Sequence, residues 1–304
     1  MKTKHLFFSI LALCASSLSG GFAQEASDAI SIQVLTTIDY PGDAVQTVPR
    51  GMNDRGDVVG TYTDSSGVTR GFIRFANGTF SRPIVEPNGS YTSAEDINNR
   101  QLSCGWYSGS DGFAHGYFLD HGAFTEFDVE GADETILDGL NEAGDFVGNY
   151  TSETVAAAFS NIEGVTKAIA IPGDRGYSFA YVINRSRQIA GGYYDGTSIH
   201  GWWQDSDGTV HAPFDPPRSL QTLPFGLNDQ GWAVGRFSRK GENQDGIGHA
   251  FIYPLGTQRF FVYDYPGTIF TSFAGINNAG LICGRYKDAS GLIHGFLAQV
   301  VTGP

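Results

Sequence analysis

The stretch "GINNAGLICGRY" (residues 275–286) decides the fold, because the chain contains its pattern six times. The other copies occupy residues 51–62, 96–107, 139–150, 182–193 and 226–237. Counted from their shared asparagine, successive copies are 45, 43, 43, 44 and 49 residues apart. In a chain with 41 glycines and 13% aromatic residues, a period in the forties predicts a repeat of four short strands.

Each copy has an asparagine that follows an apolar residue. In four copies a glycine stands three residues after the asparagine. Asparagine at the first place and glycine at the fourth are typical of a type I turn. We therefore expect the asparagine side chain to close the first hairpin of each repeat, which is a structural role. The six asparagines are Asn53, Asn98, Asn141, Asn184, Asn228 and Asn277.

A glycine always stands seven residues after the asparagine, and an aromatic residue always follows two residues after that glycine. If the next hairpin is centred on Ser65–Ser66, Gly60 faces Gly71 across the two strands. A pair of glycines would leave a slot in the sheet, and we expect an aromatic ring to fill it.

The two ends of the repeat array complement each other. Only one strand-like segment, "ISIQVLTTI" (30–38), precedes the first copy, and the last copy stops one strand short at 294–304. The simplest solution is that residues 30–38 complete the last repeat, which removes the open sheet edges. The sequence thus predicts an all-β, six-bladed β-propeller of four-stranded blades. We expect one domain over residues 24–304, closed by the N-terminal strand.

The combined motif "GxNxxGxxxGxY…HGF…YPG" resembles the HAF-repeat family of bacterial extracellular proteins. The family is named for the triplet seen here at residues 249–251. The resemblance extends from about residue 30 to residue 300. It implies export and a bacterial source, and it implies no activity.

The first 23 residues are typical of a signal peptide. Lys2 and Lys4 precede an apolar run (6–18) that is too short to span a bilayer, and small residues at Gly21 and Ala23 suggest cleavage after Ala23. We therefore expect a secreted, extracellular or periplasmic protein. No later segment is apolar enough for membrane insertion. A formal charge of −13 disfavours nucleic acid as a partner, and we expect a monomer.

The cysteines and histidines follow the repeat. Cys104 and Cys283 each stand six residues after an asparagine, where other copies have valine or alanine, so we expect buried, unpaired thiols on non-adjacent blades. Four histidines recur at or beside the "HGF" triplet on different blades, where they cannot converge on one metal ion. We therefore expect no metal and no cofactor. These histidines are His115, His200, His249 and His294.

The candidate site consists of positions at which the copies differ. The residues three and seven places before the asparagine vary freely, and we place them near the mouth of the central channel, on the face of the corner loops. The corner loops are the segments that follow the Pro/Gly corners at 39–42, 86–89, 128–131, 170–173, 215–218 and 264–267. Trp202 and Trp203 fit a sugar platform or, more simply, inter-blade core. The candidate ligand-binding residues are Arg50, Tyr91, Glu95, Asp138, Tyr177, Tyr181 and Phe225. The alternative is that these side chains only solvate or plug the channel.

For function, the pattern favours a secreted, non-enzymatic binding or scaffold protein whose ligand is a glycan or a protein. No catalytic motif is recognisable in the sequence. The alternative is a carbohydrate-active hydrolase or lyase that uses acids at the central channel, with Glu95, Asp138 and Glu134 as candidates. Arg50 beside these acids fits a neutralised salt-bridge cluster equally well.

Overall fold

The computed structural model of the 304-residue chain describes residues 30–153, 155–242 and 246–302. The expected signal peptide lies outside the described residues. The described residues form strands and no helix, which confirms the all-β prediction. Consequently, no described helix could cross a membrane.

The strands are numbered in chain order. Their bounds are β1 (Ile30–Ile38), β2 (Ala44–Met52), β3 (Val58–Asp64), β4 (Thr69–Arg74), β5 (Tyr91–Ile97), β6 (Ser103–Ser108), β7 (Ala114–Asp120), β8 (Ala123–Phe127), β9 (Glu134–Leu140), β10 (Phe146–Ser152), β11 (Val155–Ile162), β12 (Val165–Ala168), β13 (Ser178–Ile183), β14 (Ile189–Tyr194), β15 (Ile199–Gln204), β16 (Val210–Phe214), β17 (Ser219–Leu227), β18 (Trp232–Arg239), β19 (His249–Pro254), β20 (Phe261–Tyr263), β21 (Thr271–Ile276), β22 (Leu281–Lys287) and β23 (Ile293–Thr302).

The sheets follow the sequence repeat. Strands β5–β8 and β9–β12 each form a four-stranded antiparallel sheet, and β1 joins β21–β23 in a third. An eight-stranded sheet contains β13–β20. It consists of two four-stranded runs that meet at a single parallel bridge between Ile199 and Gln221. We call each repeat with its strands a unit, numbered one to six in chain order.

The first unit has three strands, β2–β4, rather than the expected four. Isolated bridges from Arg74 to Phe80 and from Gly71 to Ile84 take the place of the fourth strand. Pro83 interrupts this segment because proline has no N–H for a strand ladder. Next to it, the Ser81 hydroxyl accepts the hydrogen bond from the main-chain N–H of Ile73.

The N-terminal strand pairs with the C-terminal one. Ile30 lies opposite Thr302 and Ile38 opposite Gly295, in antiparallel register. Residues 30–38 therefore belong to the sheet of the last unit, as their place in the repeat predicted. Ile38 packs in a buried cluster with residues of the first and last units, including Tyr62 and Phe72.

The predicted pairing of glycines was wrong by one residue. Gly60 lies opposite Phe72, and Gly71 lies opposite Thr61, because the connecting loop is centred on Ser66. The invariant glycine is required instead by a neighbouring backbone. A Cβ atom on Gly60 would lie 2.2 Å from the carbonyl oxygen of Val48, and one on Gly105 would lie 1.9 Å from that of Ser93.

The buried core contains both tryptophans that the sequence left open as core or sugar platform, and both cysteines. Trp202 is fully buried and Trp203 is 8% exposed, so both belong to the core rather than to an exposed platform. Cys104 and Cys283 are buried and not disulfide-bonded, as predicted. Burial raises the pKa of both thiols, and it raises that of Cys283 to about 12.

Candidate functional site

The conserved asparagine of each unit closes its turn with the side chain, as predicted. In the first unit, Asn53 Oδ1 accepts hydrogen bonds from the main-chain N–H groups of Arg55 (3.1 Å) and Asp57 (2.9 Å). The same two acceptor contacts recur at Asn277, with Ala279 and Leu281. The side-chain oxygen therefore holds the turn.

The other atom of the same amide links the units to each other. In each unit, Nδ2 donates to the main-chain carbonyl of the asparagine in the next unit, at 3.1 to 3.3 Å. The sixth bond returns from Asn277 to Asn53. This second role was not predictable from the turn pattern, because a type I turn needs only the oxygen. The donor–acceptor pairs are Asn53–Asn98, Asn98–Asn141, Asn141–Asn184, Asn184–Asn228, Asn228–Asn277 and Asn277–Asn53.

A β-bulge precedes the asparagine by three residues in every unit. In the first unit the pairing passes from Pro49 to Gly51, so that Arg50 is the extra residue. A bulge turns its extra side chain away from the regular alternation of the strand. This explains why a position that varies from unit to unit has the same placement in all six. The bulge residues are Arg50, Glu95, Asp138, Tyr181, Phe225 and Ala274.

All six bulge residues line one cavity of about 130 Å³. The asparagine turns form the rest of its wall, together with Arg285. Five of the seven predicted ligand-binding residues therefore lie at one site. These five are Arg50, Glu95, Asp138, Tyr181 and Phe225.

The other two predicted residues are not part of the cavity lining. Tyr91 stacks on Trp106 with ring centroids 4.6 Å apart, and burial raises its pKa. Tyr177 is 47% exposed and packs edge-on against Phe179. Tyr91 thus packs against Trp106 beside the cavity, whereas Tyr177 lies on the surface.

Glu95 is a carboxylate of the cavity that two side chains hold in place. It is 8% exposed, and its Oε1 accepts hydrogen bonds from Ser93 Oγ (2.5 Å) and Trp106 Nε1 (3.1 Å). Its Oε2 lies 3.7 Å from Arg50 Nε. Glu95 in turn raises the pKa of the Arg50 guanidinium. Of the salt-bridge cluster that the sequence suggested, the structure shows the ion pair between Arg50 and Glu95.

Two neighbouring acids are protonated more readily than usual. Asp138 Oδ2 is buried without a hydrogen-bond partner, and burial together with the charge of Glu95 raises the pKa of Asp138 well above its ordinary value. Burial also raises the pKa of Asp96 to about 7, although its oxygens accept bonds from the N–H groups of Ile97 and Leu140. Burial therefore raises the pKa of two carboxyl groups that line the same cavity.

Two arginines near these acids were not predicted from the sequence. Arg285 lines the cavity, and Arg236 on β18 is close enough to influence its charge. Burial and the positive charges of Arg50 and Arg236 lower the pKa of Arg285 to about 9. Both missed residues directly follow the invariant glycine, a position that holds Thr61 in the first unit and also differs between copies. That variation was the available signal.

The described lining of the cavity reaches the asparagine turns and includes no corner-loop residue. At the turns, the exposed Arg185 lies 3.6 Å from Asp54 and 3.8 Å from Asp229. The sequence placed the ligand on the opposite, corner-loop face. The face through which a ligand enters remains a prediction.

Each recurrent histidine lies between two carboxylates. We call such a histidine with its two carboxylates a histidine corner. His200 Nδ1 is 2.5 Å from Asp215, and its Nε2 is 3.0 Å from Asp195. Equivalent pairs surround His115, His249 and His294.

Among the described residues, one group of side chains is close enough together to bind a metal ion, and it includes the histidine of one such corner. Potential ligand atoms of His115, Glu126 and Asp128 lie within 4.8 Å of one another. The Tyr107 hydroxyl already donates to Glu126, and His115 already pairs with Asp128. Hydrogen bonds within the unit are therefore sufficient to explain why these three side chains lie close together.

No family model and no curated protein matches the chain. Solved structures are similar in fold. A putative TolB from Agrobacterium tumefaciens has a TM-score of 0.60 at 11% identity, covering 90% of this chain and 98% of that one. The Aleuria aurantia lectin bound to alpha-methyl-L-fucoside has a TM-score of 0.54 at 9% identity, covering 90% and 97%. An oligogalacturonate lyase in complex with manganese has a TM-score of 0.52 at 9% identity, covering 89% and 98%.

At such low identities these similarities establish the fold alone. The chain has an all-β, propeller-like architecture.

Proposed function

We propose that the six units are the six blades of a closed β-propeller, with β1 completing the last blade. The ring of asparagine hydrogen bonds supports this architecture, since it passes once through every unit and returns to Asn53. The pairing of β1 with β23 supports it as well. The eight-stranded sheet then represents two blades that touch at one bridge.

The protein is a non-enzymatic binding protein that accepts a group of an extracellular glycan or protein in the central cavity. One observation carries this proposal: six bulges direct six different side chains, one basic, two acidic, two aromatic and one alanine, into one cavity. The asparagines that stabilise the scaffold are the same in every unit. Variation at the cavity positions beside a repeated scaffold is the pattern that recognition of a ligand requires.

An enzyme is the second candidate, and the pairing of Glu95 with Asp138 favours it. A firmly bound carboxylate beside an acid with a raised pKa is an arrangement that glycoside hydrolases use. Release of reducing sugar, or of an unsaturated product absorbing in the ultraviolet, would reveal hydrolase or lyase activity. Loss of that activity in Asp138→Asn, with ligand binding retained, would favour the enzyme over the binding protein.

The chain is exported after cleavage near Ala23, acts as a monomer outside the cytoplasm, and is a HAF-repeat protein. The basic start, the short apolar run and the repeat motif support this part of the proposal. Intact-mass analysis of the processed protein should give an N-terminus near Gln24. A protein that retains Met1 would contradict export.

A glycan array probed with the processed protein tests binding. For any ligand found, Glu95→Ala, Asp138→Ala and Tyr181→Ala should each weaken affinity at least tenfold, or about 1.4 kcal/mol. The melting temperature should change little. Arg185→Ala, at the asparagine-turn mouth, distinguishes the two faces. A ligand that enters from the corner loops should be insensitive to it.

If all three cavity variants bind as well as the wild type, the ligand does not use the cavity. A loss confined to Arg185→Ala would place the site on the asparagine-turn face.

A further inference from the structure

We infer that the ligand is an anion and that it places a carboxylate against Arg50 and Arg285. This inference rests on the proposed binding function, since it specifies what the same cavity recognises. It depends on two guanidinium groups that line the cavity, and on neighbouring acids that do not neutralise both of them.

Arg285 is the less neutralised of the two. Its guanidinium lies over the ring of Phe225, 5.9 Å from the centroid, and it forms no ion pair with any described carboxylate. The nearby charges of Arg50 and Arg236 repel it, and these effects outweigh the attraction of Glu95. Burying a cation beside like charges opposes folding, so this arrangement is best explained by a ligand that supplies the missing negative charge.

Arg50 interacts with Glu95 and Tyr91, but among the described residues one of its guanidinium nitrogens lacks a hydrogen-bond partner. It approaches Glu95 through Nε at 3.7 Å, which is too long for a hydrogen bond, and its Nε has no hydrogen-bond partner among the described residues. Its side chain is 31% exposed. A planar guanidinium of this kind can offer two parallel N–H groups to a carboxylate.

The acids of the cavity outnumber its arginines, which at first suggests a cation. However, Glu95 is already bound by Ser93 and Trp106, and Asp96 accepts two main-chain N–H groups. At the asparagine turns, Asp54 and Asp229 face Arg185. Glu142 accepts the main-chain N–H of Asn99. Asp138 favours its neutral form because it is buried near Glu95. A neutral Asp138 can donate a hydrogen bond to an oxygen of an anionic ligand.

The size of the cavity determines how much of a ligand can enter. A volume of about 130 Å³ is well below the several hundred Å³ of a typical small-molecule pocket. It admits one substituent rather than a whole saccharide. Tyr181 and Phe225, with ring centroids 5.1 Å apart, offer apolar surface to the part that carries the carboxylate.

The test compares ligands that differ only in the charged group. Processed protein is titrated by ligand-detected NMR with D-glucuronic acid and with D-glucose, and acetate serves as a competitor. We expect the acid to bind at least tenfold more tightly than the neutral sugar. If acetate displaces glucuronic acid at similar concentrations, the cavity recognises the carboxylate itself and not the sugar that carries it, and the anion inference holds.

Variants then locate the interaction. Arg285→Gln and Arg50→Gln should each weaken binding of glucuronic acid at least tenfold. The matched control Arg82→Gln, at an exposed arginine absent from the cavity lining, should leave it unchanged. Arg285→Gln should not lower the melting temperature, because it removes a buried like-charge contact; this outcome separates lost binding from lost folding.

Equal or tighter binding of glucose, no binding of either acidic probe, or wild-type affinity in both arginine variants would each overturn the anion inference. The proposed binding function would still stand if a neutral glycan from the array depended on Glu95, Asp138 or Tyr181. It would fail together with the inference if no ligand responded to any cavity variant.

Discussion

Asn277 donates a hydrogen bond from Nδ2 to the main-chain carbonyl of Asn53, 3.3 Å away, although 224 residues separate the two in the chain. Its Oδ1 meanwhile accepts from its own turn. A single amide thus performs two tasks, and each task needs a different atom. Aspartate has the same shape but lacks the donor, so the two roles can be separated by substitution.

Asn277→Asp should lower the free energy of unfolding by about 1–3 kcal/mol. The substitution preserves the oxygen that holds the turn, but it places a carboxylate oxygen against the buried carbonyl of Asn53. Urea denaturation at pH 7, followed by tryptophan fluorescence, measures the change.

The matched control is Asn77→Asp, since Asn77 Oδ1 only accepts, from the N–H and hydroxyl of Thr79 on the surface. This variant should stay within about 0.5 kcal/mol of the wild type. Equal stability of Asn77→Asp and Asn277→Asp would mean that the asparagines act as turn residues only.

Asp138→Asn should stabilise the protein at neutral pH. Because the folded-state pKa of Asp138 is raised, the unfolded state releases its proton first as the pH increases. Stability is therefore lost from about pH 3.8 up to the folded-state pKa, at about 1.4 kcal/mol per pH unit. Asparagine cannot titrate, so its advantage should grow over this interval and vanish below pH 3.8.

Asp145→Asn provides the opposite case. Burial raises the pKa of Asp145, but hydrogen bonds from the Glu163 N–H, Asn141 and Arg187 outweigh it and lower the pKa overall. The substitution should therefore destabilise the protein above pH 4. Thermal unfolding of both variants between pH 3 and pH 8 checks these signs, and a loss of stability in both would contradict the account of Asp138.

The histidine corners should make the fold more stable in mild acid. Hydrogen bonds to Asp128 and Asp111 raise the pKa of His115, and for His200 and His294 paired carboxylates outweigh the lowering effect of burial. A raised histidine pKa stabilises the folded state below pH 6.5, and the contribution is lost as the pH rises through the folded-state pKa. Each corner should contribute about 0.5 kcal/mol.

The measurement is the melting temperature from pH 5.5 to pH 8.5. The triple variant His115→Gln, His200→Gln, His294→Gln should show a smaller decrease than the wild type, whereas His121→Gln, at a side chain 76% exposed, should behave as the wild type. An identical slope in the triple variant would show that the corners do not bind protons preferentially when folded.

The processed protein should contain two free thiols, Cys104 and Cys283. Both are fully buried and burial raises their pKa, so a disulfide reagent should react with neither in the native state. In denaturant without reductant, two thiols should react. None would indicate a disulfide, and three would indicate that Cys14 is retained.

The sequence was sufficient to predict the all-β class, the turn asparagines and the free cysteines, because each depends on a pattern within one unit. It also identified the bulge position, since Arg50, Glu95 and Asp138 differ at a place where a scaffold would repeat.

Contacts between units were not predictable in the same way. The donor role of Asn53, the arginines at 236 and 285, and the raised pKa of Asp96 depend on which side chains meet across units. A linear pattern does not contain those distances. The register of Gly60 was misjudged for a related reason, because a one-residue change in loop centre shifts every pair in the hairpin.

The pairing of β1 with β23 has a consequence for biosynthesis. Strand β1 leaves the ribosome first, but Ile38 pairs with Gly295, which is synthesised roughly 13–50 s later at ordinary translation rates. During that delay, "ISIQVLTTI" is an uncharged nine-residue segment with high β-propensity and no partner, the kind of segment that aggregates. The cell must keep this strand soluble until its partner arrives, so yield on overexpression should depend on chaperone supply more than on the stability of the finished fold.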